Sequence, residues 1–490
     1  MRGPNLPVDV IVPRERPRRW QALVIRRLQA EGHDVAVLHD PAAQSWPTAA
    51  TVLLGLERTL LRKPDGGLAA TLERIPQEPR RRTPALRLDL AGNVARGDVP
   101  TIALRFNGAA GDFSAAAMVA AGGLVDLQAV LDGKTVVGEA LPMIDRREAT
   151  SLGIDDVFAR AATLLVATVR AFAEGRLVDL GKPVAEGGES GFTGAYLTRA
   201  LPRLGREAFR RARFRYAHWK VGYRFHAGPG AAETGRLGTG WRVLPEAAGR
   251  FYADPFAFHR EGQAFIFVED FDYAAGKAAI SVVPFNADGT PQPARIVLEE
   301  PYHLSYPQVF ERDGAIWMLP EASAGGKLVL YRAESFPDRW RAEAVLLEGE
   351  ISDATLLDHG GRLWLFATHR DGFGSTSDTL AVFSAAALTG PWRPHALNPV
   401  LIDRQRARPG GAFIRTGLGG LCLPVQDGTL GYGGGLGLSD LLALDDGTVR
   451  MAAPRPILAE GDWPFPRIHT LNRSGPLEVI DGIAAVPRRG

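Results

Sequence analysis

The chain has 490 residues, 46% hydrophobic and 23% charged, which is too apolar for disorder and, at roughly 150 residues per domain, enough for two or three cores. Its 57 Lys+Arg against 55 Asp+Glu leave a formal charge of +2, so global charge makes no case for a nucleic-acid-binding protein. The single cysteine, Cys422, excludes an intramolecular disulfide framework and fits a reducing compartment.

Residues 1–13 carry no apolar run ahead of a small-residue cleavage site, and the apolar stretch 115–131 is broken by Gly122, Gly123, Asp126 and Gln128. The expectation is a soluble, cytoplasmic protein. Residues 8–12 (VDVIV) and 34–38 (DVAVL) read as strands, with helical spacing of Leu23, Val24 and Leu28 between them. Residues 86–90 and 101–106 read as further strands, 154–173 as a long helix, and the Pro- and Arg-rich interval 63–84 as a loop. Strands alternating with helices predict an α/β domain over 1–175 with a mainly parallel sheet.

Residues 176–240 read as a basic linker with a helix. From Tyr196 at its start to His226 at its end, segment 196–226 holds nine basic residues (Arg199, Arg203, Arg206, Arg210, Arg211, Arg213, Arg215, Lys220 and Arg224) against the single acid Glu207. It is either a solvated helix between domains or an amphipathic surface for phosphate or anionic lipid headgroups.

From about residue 240 helical periodicity stops, and short apolar runs recur between glycine-bearing turns. FYADPFAFHREGQAFIFVED (251–270), LSYPQVFERDGAIWMLPE (304–321) and ISDATLLDHGGRLWLFAT (351–368) align as strand, tight turn, strand. Two weaker copies follow at 407–426 and 468–482. The first three span 15 residues each, from Asp254 to Glu269, Tyr306 to Glu321 and Asp353 to Thr368. With Gly410 and His469 as the last two anchors, the copies start 52, 47, 57 and 59 residues apart. Repeats of that length, each long enough for four strands, predict an all-β five-bladed β-propeller over 241–490.

In a propeller the repeat anchors converge on one mouth. Asp254, Tyr306, Asp353, Arg408 and His469 are expected there, with Glu269, Glu321, Thr368 or His369, Gln426 and Asp481 as a matching outer tier. Carboxylates, histidines, an arginine and nearby aromatics suit a sugar: charged groups bind the ring hydroxyls and flat rings cover its apolar faces. Paired carboxylates can also hydrolyse a glycosidic bond. Asp254 reads as a base or as a turn residue, Asp353 as a group that orients that base, and Glu321 as an acid; for the last two, solvated strand ends are the alternative. His303, His395 and His469 sit near predicted blade starts, and without HExxH or CxxC spacing they read as ligand-binding groups, with no metal site and no cofactor. Arg408 binds an anionic ligand group or pairs with Asp254 or Asp353.

The runs FYADPFAF, HLSYPQVF, MLPEAS, LYRAESFPDRW, LTGPWRPHALNPV, ARPGGAF and HTLN closely resemble the amino-terminal domain of glucosamine inositolphosphorylceramide transferases, over about 241–482. That domain is similar to the five-bladed propellers of glycoside hydrolase family 43. The glycosyltransferase domain that follows it in the plant proteins has no counterpart in these 490 residues, so the resemblance does not imply transferase activity. It places Asp254 at the family 43 base and Asp353 at the third-blade aspartate that modulates pKa. The fourth-blade position of the glutamic acid falls at 407–411, where Arg408 stands and no acid does, so hydrolysis would need Glu321 or Glu269. The first 175 residues resemble a diverged formyltransferase domain, Rossmann-like in fold. Asn107 matches, but no histidine lies between His39 and His218, and Gly108, Ala109 and Ala110 follow the asparagine. Asp145 reads as a helix-start residue. The resemblance implies the fold without the reaction.

The expected function is therefore carbohydrate-active: binding a sugar of a glycan or glycolipid at the propeller mouth, with its hydrolysis or transfer as the catalytic form of that reading. The alternatives are a non-catalytic glycan-binding module and a formyl or acyl transferase acting on a sugar. Nucleic acid is not expected as a partner; a membrane surface met through 196–226 is the alternative to a solvated helix there.

Overall fold

A computed structural model describes residues 5–43, 45–93, 97–187, 191–215, 217–417 and 419–488. The chain divides into two compact units, Met1–Arg210 with Phe373–Ser375, and Arg211–Gly372 with Thr376–Gly490.

The first unit is a six-stranded mixed sheet with helices. Its strand order is Asp34–Asp40, Pro7–Pro13, Leu86–Asp89, Thr101–Phe106, Leu127–Leu131, Thr135–Ala140. The first four strands are parallel and the last two antiparallel. Pro7–Pro13 is buried at five successive positions, as expected of a strand covered on both faces. Helix Thr150–Ala173, buried along most of its length, starts four residues ahead of the expected 154. Asp145 stands five residues before that helix and does not begin it.

The second unit contains five sheets of four or five strands. The first blade is Arg250–Arg260, Gln263–Asp272, Lys277–Pro284 and Arg295–Leu298, and the second is Ser305–Arg312, Ala315–Glu321, Lys327–Ser335 and Arg339–Glu348. The third runs from Glu350–His359 through Arg362–Arg370 and Thr379–Ala385 to Arg393–Pro394, and the fourth from Ile414–Arg415 through Leu421–Gln426 and Leu436–Leu444 to Val449–Met451. In the fifth, Leu471–Ser474 and Leu477–Ala484 are completed by strands from much earlier in the chain, His218–Phe225 and Arg242–Val243.

Apolar clusters fill every seam between successive blades. Phe267 and Met318 share the first seam, Leu330 and Leu365 the second, Phe366 and Leu423 the third, Leu438 and Ile480 the fourth. Val479 and Ile266 share a fifth cluster, which closes the ring between last blade and first.

The propeller therefore begins before residue 241. Strand His218–Phe225 belongs to the fifth blade, and the compact-unit boundary falls at 210/211, inside the expected linker. The physical reason is ring closure: without His218–Phe225, the strand Leu477–Ala484 would present an unpaired edge. Residues 188–190 and 216 of the expected linker lie outside the described residues. Among the described residues, no helix is long and apolar enough to cross a membrane.

Candidate functional site

The repeated 15-residue spacing has a structural counterpart. Ala253 pairs with Glu269, Ser305 with Glu321, Ser352 with Thr368 and Pro409 with Val425, the same register in four blades. The anchor after each of the first three residues interrupts the ladder and takes a left-handed backbone, with φ of 46° at Asp254, 47° at Tyr306 and 49° at Asp353. Such a bulge turns the inner strand and re-aims one side chain, at a cost of about 1–3 kcal/mol for a non-glycine residue. In the fourth blade the position is Gly410, whose added Cβ would meet the His469 carbonyl at 2.7 Å, so the preceding Arg408 supplies the side chain instead.

These side chains form two buried clusters. In one, Arg408 donates to Asp353 through Nε (2.6 Å) and Nη2 (3.1 Å), to Glu321 through Nη2 (3.4 Å), and to Ser377 through Nη1 (3.0 Å). Gln426 donates to Asp353 at 2.6 Å and to the Pro409 carbonyl at 2.9 Å. Glu321 accepts from the Ser323 hydroxyl at 2.7 Å and from the Asp353 N–H at 3.3 Å.

In the other, His469 Nδ1 lies 2.6 Å from Asp481, and Nε2 lies 3.3 Å from Asp254 Oδ1. The Asp481 carboxylate also accepts the N–H groups of Asp254 (3.0 Å), His469 (3.3 Å) and Thr470 (3.1 Å). The imidazole lies flat on Trp219, with centroids 3.8 Å apart and planes 14° apart. Asp254, His469 and Asp481 are close enough together to hold a metal ion. Both ring nitrogens already face carboxylates, so the arrangement as built is an acid–imidazole–acid chain.

Burial sets the charge states. Removal from water pushes Asp254 up to about 7, His469 pulling it down and Asp353 adding repulsion. Burial likewise pushes Asp353 to about 7 against the pull of Arg408. Glu269 is driven well above the carboxylate range, first by burial and then by the Asp254 charge. Burial opposes charge on His469 but is outweighed, chiefly by Asp481, and its pKa rises. Burial lowers that of His303.

In front of these clusters opens a cavity of about 620 Å³. Glu269, Glu321, His303, Ser305 and Arg408 supply its polar wall, and Trp219, Phe251, Phe271, Tyr273 and Tyr432 its rings, with Arg215 and Arg488 also lining it. His303 Nδ1 accepts the Ala278 N–H at 3.2 Å, which leaves the proton on Nε2, 3.4 Å from Glu269.

Four of the residues singled out from sequence therefore line the cavity: Glu269, Glu321, His303 and Arg408. Asp254, Asp353, His469, Gln426 and Asp481 do not. They stand behind its wall: Asp353 holds Arg408 and in turn accepts from Gln426, while His469 stacks on Trp219 and has Asp254 and Asp481 behind it. Tyr306, expected at the mouth, is fully buried; its hydroxyl lies 2.9 Å from Thr355 Oγ1 and accepts the Gly411 N–H at 2.7 Å, tying three blades. His395 is also displaced. It follows the outer strand of the third blade, where its N–H bonds Val382, Nε2 meets the Asp445 carbonyl at 2.8 Å and Nδ1 accepts the Leu397 N–H at 3.1 Å. The sequence reading missed Trp219, Tyr273 and Tyr432. The alternation of Trp219, Val221, Tyr223 and Phe225 is a strand signal that the surrounding basic residues masked.

The fold and cavity define a five-bladed β-propeller with an acid-and-aromatic pocket at its mouth. Residues 244–444 match the family model described as glucosamine inositolphosphorylceramide transferase 1, N-terminal. The glucosamine inositolphosphorylceramide transferase 1 of Arabidopsis thaliana is 34% identical over 172 residues, 34% of this chain and 22% of that protein. That of Oryza sativa subsp. indica is 33% identical over 187 residues, 37% of this chain and 25% of that protein. The chain thus spans about a quarter of the length of these relatives. Similar solved structures include an α-L-arabinofuranosidase from Podospora anserina (13% identity, 49% of this chain and 92% of that one, TM-score 0.38). An α-L-arabinanase from Cellvibrio cellulosa is another (18% identity, 43% and 84%, TM-score 0.33).

Proposed function

We propose that the propeller binds a sugar of a glycan or glycolipid in this cavity. The observation that carries the reading is the cavity wall, where flat rings stand beside two acids, Glu269, whose hold on its proton burial strengthens, and Glu321, fixed by Arg408. Glu269 donates to a ring oxygen or hydroxyl, Glu321 accepts from one, and Tyr273 or Trp219 covers the apolar face of the sugar. Carbohydrate chemistry is also what the names of the matched plant relatives denote.

Binding is favoured over hydrolysis. Cleavage needs a proton donor and a second, available carboxylate about 5–10 Å away. Glu269 suits the donor, but both Glu321 oxygens already accept hydrogen bonds, and Asp254 and Asp353 do not reach the cavity wall. Hydrolysis or transfer through Glu269 is the second reading, supported by the burial that raises its pKa in the cavity wall.

An array of immobilised oligosaccharides, read with the full chain, tests the proposal. Saturable binding is expected, lost in Glu269→Leu, which removes the donor, and weakened at least about tenfold in Tyr273→Ala. No binding to any glycan, or binding that neither substitution alters, would overturn it. Release from a panel of aryl glycosides, abolished by Glu269→Gln, would establish turnover.

We read the first unit as a formyltransferase-like fold without the reaction. The Asn107 side chain donates to the Leu124 carbonyl at 3.0 Å and accepts the Asp126 N–H at 2.6 Å, so its amide is already engaged in the local turn. Titration of formyl-tetrahydrofolate into the full chain is expected to show no saturable heat; saturable binding would reinstate a formyl-transfer role. The cytoplasmic location rests on the lone Cys422 and is tested by cell fractionation.

A further inference from the structure

Helix Leu201–Arg213 has no buried residue, although its sequence is sharply two-sided. At about 100° per residue, Leu204, Ala208, Leu201, Ala212, Gly205 and Phe209 fall within an arc of about 140°. Arg213, Arg206, Arg210, Arg203 and Arg211 share the opposite side with Glu207. The helix continues without a break from the π-turn Tyr196–Ala200, which lies ahead of Pro202, a residue with no N–H to offer the Thr198 carbonyl.

The apolar side faces solvent. Leu197, Leu201 and Phe209 are 51%, 49% and 64% exposed. A second helix, Thr48–Leu60, is held to the π-turn by a hydrogen bond from the Tyr196 hydroxyl to Glu57 at 2.9 Å. It exposes its own row at i, i+4 and i+8: Val52, Leu56 and Leu60, at 53%, 64% and 70%. Two helices linked through the π-turn, both with exposed leucines and one of them rich in arginine, are not the surface of a protein adapted to water alone.

We infer that these two helices form a docking surface for an anionic phospholipid bilayer. Leucine and phenylalanine enter the boundary between headgroups and acyl chains, and arginines of helix Leu201–Arg213 meet the lipid phosphates. Charge selects this occupant, since a second copy of the same face would set arginine against arginine. The helix is about 20 Å long and lies along the surface without spanning it.

Flotation of the full chain with vesicles tests the inference. Binding is expected to phosphatidylcholine vesicles containing about a third phosphatidylglycerol, with much less to phosphatidylcholine alone and release by high salt. Leu201→Ser with Phe209→Ser, and separately Arg206→Gln with Arg210→Gln, should each weaken binding at least about tenfold. All four positions are exposed, so an unchanged melting temperature is the control for folding. No vesicle binding, equal binding to neutral vesicles, or binding that both double variants retain would overturn the inference. So would a dimer in sedimentation, without vesicle binding, that Leu201→Ser with Phe209→Ser abolishes. Glycan binding at the propeller cavity is expected to survive both double variants, so the two proposals fail separately.

Discussion

Glu269, Asp254 and Asp353 are acids held where water is scarce, and their protons link stability to pH. In the unfolded chain a carboxyl loses its proton near pH 4, whereas Asp254 and Asp353 in the fold do so at about 7. The stability they contribute is therefore complete below about pH 4 and is lost as pH rises to about 7. The raised pKa of His469 acts in the same direction, its contribution fading as pH passes that value. The melting temperature should be higher near about pH 5 than near about pH 8, and Asp254→Asn should flatten the difference; a rise in stability with pH would contradict this. Glu269→Gln removes a carboxyl whose charge burial disfavours, so at about pH 8 it should melt a few degrees higher.

Arg408 makes the opposite case. Removing it as Arg408→Leu strands the fully buried Asp353 beside Glu321, at a cost of about 3–5 kcal/mol in denaturant unfolding. Arg408→Lys should not restore the loss, because an ammonium cannot make the paired Nε and Nη2 contacts. Tyr306→Phe should cost about 1–3 kcal/mol and leave sugar binding unchanged, as a hydroxyl that ties blades predicts.

At the scale of elements, the hairpin repeat was the legible part. The 15-residue spacing corresponds to one pairing register in four blades, and the anchors it picks out include the three left-handed bulges. Legibility ended where the site depends on distance in three dimensions. Whether Asp254 or Glu269, the register partner of Ala253 beside it, faces the cavity depends on which way a bulge turns the strand, and no spacing encodes that. Asp353 and Glu321, which pair with Arg408, and Asp254, which faces His469, come from other blades, far away in sequence. Strand His218–Phe225 was hidden because it joins partners some 250 residues later and sits among arginines. A chain begun at residue 241 should accordingly fail to fold as a monomer, with the edge of Leu477–Ala484 exposed; size-exclusion chromatography and near-UV circular dichroism would show it.

At the scale of the whole molecule, the chain joins an α/β unit to a ring of five blades, and each carries a distinct proposed surface. The strand–helix alternation of the first unit was readable because buried parallel strands are short apolar runs, VDVIV among them. Its two exposed leucine rows carry the membrane proposal, and the propeller cavity carries the sugar. The most direct measurement for the central claim is a crystal structure with the oligosaccharide that binds best on the array. The account predicts a sugar ring against Tyr273 or Trp219, with a hydroxyl or ring oxygen within hydrogen-bond distance of Glu269. A sugar lodged instead in the cleft lined by Tyr223, Arg242 and His259, with the mouth cavity empty, would contradict it.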